Sequence, residues 1–341
     1  MINKKAFDFV IELGIGWNVG NSFDAVKKHS TGNDGLGSET AWKNPPVSKE
    51  LIDSVCKEGF DVIRIPVTWS NHFADDNCTI DSEWLERVAE IVDYTYNKGV
   101  KVILNTHHEN WIFMSDENYP RASKAMKRIW EQLCERFKDY GERLIFEGMN
   151  EPRKMGCPDE WNGGDAEARN VVNKLNLDFV DTVRSFGGNN AERYLMIATY
   201  CGCCTDTVMR ELEIPDDNGI IVTVHSYKPW GFACSEPDKP DYTAVFDMND
   251  PEFMESLDET FGFMKKYCID KNIPVIIGDF GALNKDNDNE RLKYIGYMRK
   301  KSDETGVKLI WWDNGYPHDF ALFDRKSSKV IHQQLVDALT K

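Results

Sequence analysis

The chain has 341 residues, with 57 acidic against 41 basic side chains and a net charge of −16. A field of that sign repels phosphate backbones and anionic headgroups, so nucleic acid and membrane surfaces are poor partners, while a neutral polymer is indifferent to it. Mean hydropathy of −0.51 with 41% hydrophobic residues describes a soluble globular chain, and no run of ~18 apolar residues is present to span a bilayer.

Eight short apolar runs recur along the chain, each closing on polar or aromatic residues: 14–20, 62–67, 101–108, 144–151, 193–200, 220–227, 274–281 and 307–314. Helical periods lie between them. Ser48 is a suitable N-cap for a helix with Leu51, Ile52, Val55 and Cys56 on one face, followed by Gly59. Asp81 opens a second, through Trp84, Leu85, Val88, Ile91 and Val92 to Lys98-Gly99. Ala122, Met126, Ile129, Leu133 and Phe137 form a third stripe, and Leu175, Phe179 and Val183 a fourth. The segment from Asp206 to Leu212 has the weakest helical pattern. Later stripes run through Phe253, Leu257, Phe261 and Met264, through Leu292, Ile295 and Met298, and through Ile331, Leu335 and Leu339.

Strand–helix alternation eight times over predicts parallel strands closed into a single (β/α)8 barrel domain, an α/β fold with its core over about residues 14–340. An open doubly wound sheet would want a glycine-rich phosphate turn after the first strand. Gly14-Ile15-Gly16-Trp17-Asn18-Val19-Gly20 instead places a Trp where the backbone would approach a pyrophosphate. Nine cysteines with no ladder of small loops, and a Cys201-x-Cys203-Cys204 cluster without a second C-x-x-C or His pair nearby, read as wall and loop thiols rather than a metal site.

In a barrel the chemistry sits at the C-terminal strand ends. Those ends carry Asn18 and Asn21, Arg64, His107 and His108, Asn150 and Glu151, His225 and Tyr227, Asp279, and Trp312. There is no phosphate loop, no strand-end Lys for Schiff-base work and no G-x-S-x-G elbow. His108-Glu109-Asn110 is not a metal helix, because Ile112 stands where the second His would be. Paired carboxylates without a metal or cofactor are the equipment of glycoside hydrolysis. Ten Trp offer flat faces for sugar rings, although many such rings fill cores; Trp42, Trp69, Trp161 and Trp230 lie in loops at the expected catalytic face.

The segments Gly16-Trp17-Asn18-Val19-Gly20-Asn21-Ser22, Gly59 to Pro66, Leu104 to Glu109, Phe146-Glu147-Gly148-Met149-Asn150-Glu151-Pro152-Arg153, His225-Ser226-Tyr227 and Trp311-Trp312-Asp313-Asn314-Gly315 resemble glycoside hydrolase family 5, over about residues 14–315. The resemblance implies a retaining β-glycanase, chiefly an endo-β-1,4-glucanase acting on cellulose, mixed-linkage glucan or xyloglucan, without metal or cofactor. It implies Glu151 as acid/base, with a pKa raised by its cleft position beside a second carboxylate. Asn150 would hold the sugar 2-hydroxyl, Arg64 would keep the nucleophile ionised, and Tyr227 would hydrogen-bond it. His107, His108, His225 and Asn21 would bind the sugar, and Trp312 would form its platform. Glu109 and Glu147 read as solvated or paired side chains. The expected partner is a neutral β-linked polysaccharide or oligosaccharide, met by a monomer that is secreted or on the cell surface. Residues 1–6 carry no apolar leader, which fits an intracellular chain or one already processed.

One position departs from the family pattern. The strand-seven motif has Glu in the family, and here it reads Ile276-Ile277-Gly278-Asp279-Phe280-Gly281. Asp279 retracts its oxygens by about a bond length, which is expected to open the gap to Glu151 beyond the ~5–5.5 Å of retaining enzymes and to weaken catalysis. A catalytically silent β-glycan-binding barrel, or a β-mannanase or xyloglucanase of the same family, are the alternative readings.

Overall fold

The computed structural model describes residues 4–28 and 32–341. Eight strands form a closed parallel barrel in chain order: β1 (Gly16–Asn18), β2 (Val62–Ile65), β3 (Lys101–Asn105), β4 (Leu144–Glu147), β5 (Leu195–Ala198), β6 (Ile220–Ser226), β7 (Val275–Phe280) and β8 (Lys308–Trp311). The ring closes where Gly16 and Trp17 of β1 pair with Ile310 and Trp311 of β8. Each strand lies inside one of the eight apolar runs. A two-stranded ribbon, β9 (Phe323–Asp324) and β10 (Lys329–Val330), follows. No helix among the described residues is long and apolar enough to cross a membrane.

The helices are α1 (Lys4–Ile11), α2 (Lys49–Lys57), α3 (Ser82–Asn97), α4 (Tyr119–Arg136), α5 (Ala166–Ser185), α6 (Asn189–Glu192), α7 (Asp206–Glu211), α8 (Trp230–Ala233), α9 (Pro251–Tyr267), α10 (Asp288–Thr305) and α11 (Gln333–Thr340). The expected caps form. Ser48 accepts from the Leu51 amide at 3.1 Å and Asp81 from the Trp84 amide at 3.1 Å, each satisfying a donor the first turn leaves free. The stripes on α2 to α5 are buried against the barrel wall. The weak Asp206–Leu212 pattern yields only the six-residue α7. Ile331 lies outside α11 and is 37% exposed, because its backbone amide instead bonds the Leu322 carbonyl beside the ribbon.

Two apolar layers result. The larger fills the space between wall and helices. The smaller fills the barrel interior with Val62, Ile103, Ile145, Met196, Ile221, Ile276 and Ile310, and is closed from below by Ala6, Val10 and Leu13. The expected core began near residue 14, yet α1 and the turn after it plug the floor. The reason is that the lower ends of eight strands leave an apolar opening that water would otherwise reach. The Ala6 amide fastens the plug to the Asn218 carbonyl at 3.1 Å. The leader reading of residues 1–6 falls partly on residues 1–3, outside the described residues.

Val10 is 1% exposed under the barrel whereas Asp8 faces solvent on the same helix. Val10→Asp is expected to lower stability by about 2–4 kcal/mol, since it buries an unpaired carboxylate. Asp8→Asn should change stability by less than about 0.5 kcal/mol. Urea unfolding of the two variants measures both, and equal effects would remove α1 from the core.

Candidate active site

Strand alternation separates the floor from the site. On β2, β3 and β4 the inward residues two apart are Val62 and Arg64, Ile103 and Asn105, and Ile145 and Glu147: apolar below, polar above. Arg64 is fully buried and directs its guanidinium at four acceptors. Nε donates to Glu147 Oε2 at 2.7 Å, Nη1 to Asn18 Oδ1 at 3.0 Å and Asp279 Oδ1 at 2.9 Å, and Nη2 to Asn150 Oδ1 at 2.8 Å. Strands β1, β2, β4 and β7 are thereby joined through one planar cation. Asn105 Nδ2 adds a bond to Glu147 Oε2 at 3.0 Å.

Asp279 reaches this position through a break in register. Val224 pairs with Ile277, but the next residue, His225, pairs with Asp279, so Gly278 is the extra residue on β7. With Ile276 inside, strict alternation would turn Asp279 outward; the irregularity turns it in. Asn18 Nδ2 pins the irregular segment by donating to the Gly278 carbonyl at 2.8 Å. Asn18 was expected to face the cleft; it is instead fully buried and serves the wall and Arg64.

His225 sits between two carboxylates. Its Nδ1 is 2.9 Å from Glu151 Oε1 and 3.5 Å from Asp279 Oδ2. One ligand atom from each of Glu151, His225 and Asp279 lies within 4.8 Å of the others. The nearest oxygens of the two carboxylates are thus no more than 4.8 Å apart, with Arg64 and His225 both reaching Asp279. Gly202, at φ +68°, permits this placement, because a Cβ there would stand 3.0 Å from His225 Cγ.

The electrostatics reverse the sequence-based expectation for Glu151. Burial pushes the Glu151 pKa up, but the hydrogen bond and charge of His225, with Arg153 and His108, outweigh it and leave the group below its ordinary value. Burial pushes Asp279 up to about 6, against the pull of Arg64 and His225 and with the help of Glu151 and Glu147. His225 is disfavoured as a cation by burial, yet Asp279 and Glu151 together hold its pKa above the usual imidazole range. The proton that Glu151 was expected to hold is thus favoured on its neighbours.

The other expected sugar ligands line the same face. Asn150 gives its carbonyl oxygen to Arg64, leaving its amide nitrogen without an acceptor among the described residues. The rings of His107 and Trp312 stack 5.8 Å apart at 3°. Gly20 makes room for that indole, since a Cβ would meet Trp312 at 2.7 Å. His108 is exposed and tilted against Trp42 at 5.6 Å. Asn21 is held at φ 55° by the Asp24 carboxylate on its amide at 3.1 Å and by Asn44 on its carbonyl at 2.9 Å. Tyr227 was expected to hydrogen-bond the nucleophile position; no such bond forms among the described residues. Burial, and after it the Asp279 charge acting through space, raises the phenol pKa. The carboxylate ends a methylene sooner than a Glu would.

Glu147 is paired as expected, but fully buried. Glu109 is neither solvated nor ion-paired: it is buried and accepts from the Trp69 and Ser70 amides at 2.7 and 2.8 Å, tying the loops after β2 and β3 together. Burial pushes its pKa up to about 7. Trp69 is core, donating to the Asn105 carbonyl at 2.8 Å, whereas Trp161 and Trp230 are 55% and 60% exposed. Cys203 and Cys204 donate to the carbonyls of Trp161 and Thr260, each at 3.3 Å, so their thiols serve different elements. Asp24 and Arg153 had no role assigned from sequence. Asp24 belongs to the first motif's loop and Arg153 to the Asn-Glu-Pro-Arg motif, and that adjacency was the available signal.

A single ammonium cannot serve four acceptors in a plane, so Arg64→Lys is expected to cost about 1–3 kcal/mol of stability. Urea unfolding at neutral pH checks this. A loss under about 0.5 kcal/mol would mean that the hub is not a structural tie.

Comparison with known proteins agrees with this geometry. The family description "Cellulase (glycosyl hydrolase family 5)" matches residues 26–317. Endoglucanase A of Ruminococcus albus is 42% identical over 98% of this chain and 92% of its own length. A xyloglucan-specific endo-β-1,4-glucanase from a metagenomic library, solved with cellotriose, superposes with a TM-score of 0.93 at 38% identity over 99% of both chains. A lichenase from Caldicellulosiruptor sp. F32 gives 0.93 at 38% identity, over 100% of this chain and 96% of that one. With the barrel, the Glu151–His225–Asp279 cluster and the Arg64 hub in place, the chain belongs to glycosyl hydrolase family 5, the cellulase family.

Proposed function

We propose that this chain is a retaining endo-β-1,4-glucanase, secreted and monomeric, that accepts cellulose-type, mixed-linkage and xyloglucan chains. Glu151 is the acid/base and Asp279 the nucleophile. The observation that carries the reading is the pair of carboxylates from the segment after β4 and from β7, within 4.8 Å of a shared histidine. The substrate range rests on relatives whose names include endoglucanase, xyloglucan-specific endoglucanase and lichenase.

In the first step Asp279 attacks the anomeric carbon as Glu151 protonates the departing oxygen. In the second, Glu151 takes a proton from water, which displaces Asp279 with net retention. Asn150 donates its free amide to the sugar 2-hydroxyl, and Trp312 carries the ring. The productive state needs Glu151 protonated and Asp279 ionised, while the resting site favours the opposite. His225 resolves this: its Nδ1 lies 2.9 Å from Glu151 Oε1 and 3.5 Å from Asp279 Oδ2, so it can pass a proton to Glu151 and take the Asp279 proton in its place, leaving Asp279 anionic beside Arg64. The consequence is a small productive fraction, added to a nucleophile one methylene short.

Asp279→Glu is therefore expected to raise hydrolysis of soluble β-glucan by ~100-fold or more, with retention seen by proton NMR of the first-formed anomer. Glu151→Gln should abolish polymer hydrolysis while soluble cello-oligosaccharides still bind. An Asp279→Glu variant no faster than the unaltered chain would sink the nucleophile assignment. If neither form hydrolyses β-glucan but calorimetry detects oligosaccharide binding, the chain is a glycan-binding barrel, the reading that the shortened Asp279 favours.

The pH dependence follows from the same pair. The reactive form carries one proton, on Glu151, and the one-proton state is lost as pH rises past the Asp279 pKa, which burial pushes up to about 6. Hydrolysis should therefore fall as pH rises through about 6, and a pH–rate profile that stays flat from about pH 5 to about pH 8 would contradict this.

A further inference from the structure

Arg153 follows Glu151 by two residues and has no partner in the Arg64 hub. Its Nε donates to Glu160 Oε1 at 2.9 Å, and the other Glu160 oxygen accepts from the Gly156 amide at 2.7 Å, so the clamp is itself anchored. Its guanidinium carbon lies 4.3 Å from the centre of the Trp161 ring, a stacked cation–π arrangement. The Trp161 carbonyl is held from the other side by the Cys203 thiol at 3.3 Å. The third direction is toward the chemistry: Nη1 donates to the Glu151 carbonyl oxygen at 3.1 Å and stands 3.7 Å from Glu151 Oε2. Glu151 Oε1 is meanwhile taken by His225, so the two carboxylate oxygens face two different cations.

We infer that Arg153 is a positioning residue for Glu151: locked by Glu160 and the Trp161 ring, it orients the carboxyl and opposes its protonation. The inference rests on Glu151 being the acid/base. The Trp161 indole is 55% exposed with one face on the guanidinium, so a sugar ring stacking on the free face would press on the same group that governs the proton donor.

Other charges converge on Glu151 and bound the size of the effect. From β6 comes His225, from the segment after it Tyr227 and Cys234, from β7 Asp279, from the loop after β3 His108, and from the turn after β5 the thiols of Cys201 and Cys203. Among the described residues, His225 is the only side chain hydrogen-bonded to the carboxylate itself, so removing Arg153 leaves that partner in place. At 3.7 Å in water-like dielectric the loss of one charge corresponds to about 0.5–1 pH unit.

The test is a carbon-13 NMR titration of the Glu151 side-chain carboxyl in the whole protein, assigned by its loss in Glu151→Gln. In Arg153→Met, which keeps a chain able to lie on Trp161, the Glu151 midpoint should rise by about 0.5–1 pH unit. Arg153→Lys keeps the charge and should recover most of that shift. The acid limb of β-glucan hydrolysis should move upward in the same order. An unmoved midpoint in Arg153→Met overturns the inference. So does a hydrolysis rate lowered equally at every pH, which is what a merely loosened loop gives; thermal unfolding of each variant shows whether the fold is intact. If Glu151→Gln retained polymer hydrolysis, the acid/base reading would fall while the titration result stood, so the two failures are distinguishable.

Discussion

One buried guanidinium holds the catalytic face together. Arg64 has no contact with solvent and four acceptors at 2.7–3.0 Å, on residues from β1, β4, the segment after β4, and β7. An unpaired cation in that place would be prohibitive, so the acceptors are fixed by the charge as much as they fix it. Arginine suits the task because its planar fork aims donors in several directions at once, which an ammonium cannot do. The positions of Asn150 and Asp279 follow from this arrangement, and through Asp279 that of His225.

The same hub explains the electrostatic pattern around the chemistry. Two carboxylates, Glu147 and Asp279, already share Arg64, so its charge is divided between them. Asp279 is then left with a pKa of about 6, because burial and the neighbouring Glu147 and Glu151 oppose what Arg64 contributes. Glu151 lies nearer the opening and escapes part of that burial, with cations on both of its oxygens. Protons are therefore placed by the outer layer of charges, His225 and Arg153, rather than by the simple proximity of two acids. A longer side chain at position 279 would shift both the reach of that carboxylate and this balance.

Floor and ceiling of the barrel are built from the same strands by alternation. Below, Val62, Ile103, Ile145 and their neighbours make a dry interior that α1 seals; two residues higher, Arg64, Asn105 and Glu147 open the polar site. Stability and chemistry thus occupy opposite ends of one structure. The loops above are stitched by buried acids that do no chemistry, Glu109 between the loops after β2 and β3, and Asp313 holding Trp17 Nε1 at 2.9 Å and the Leu322 amide at 2.8 Å.

The barrel was legible in the order of the amino acids, because eight apolar runs alternating with capped amphipathic stripes have few ways to bury their faces, and each run proved to contain one strand. The residues that stand at the catalytic face were legible too, since strand ends are set by the same periodicity. The floor plug was not: the partners of α1 lie on strands from β2 to β8, between Val62 and Ile310, and no local pattern announces them. Nor could periodicity place Asp279. Alternation alone points that side chain outward, and only the slip between β6 and β7, pinned by Asn18 from the far end of the chain, turns it in. The protonation of Glu151 was misjudged for a related reason. A neighbouring carboxylate raises a pKa, but Nδ1 of His225 and the guanidinium of Arg153 were brought to its two oxygens by tertiary contacts, and nearby cations outweigh a more distant anion.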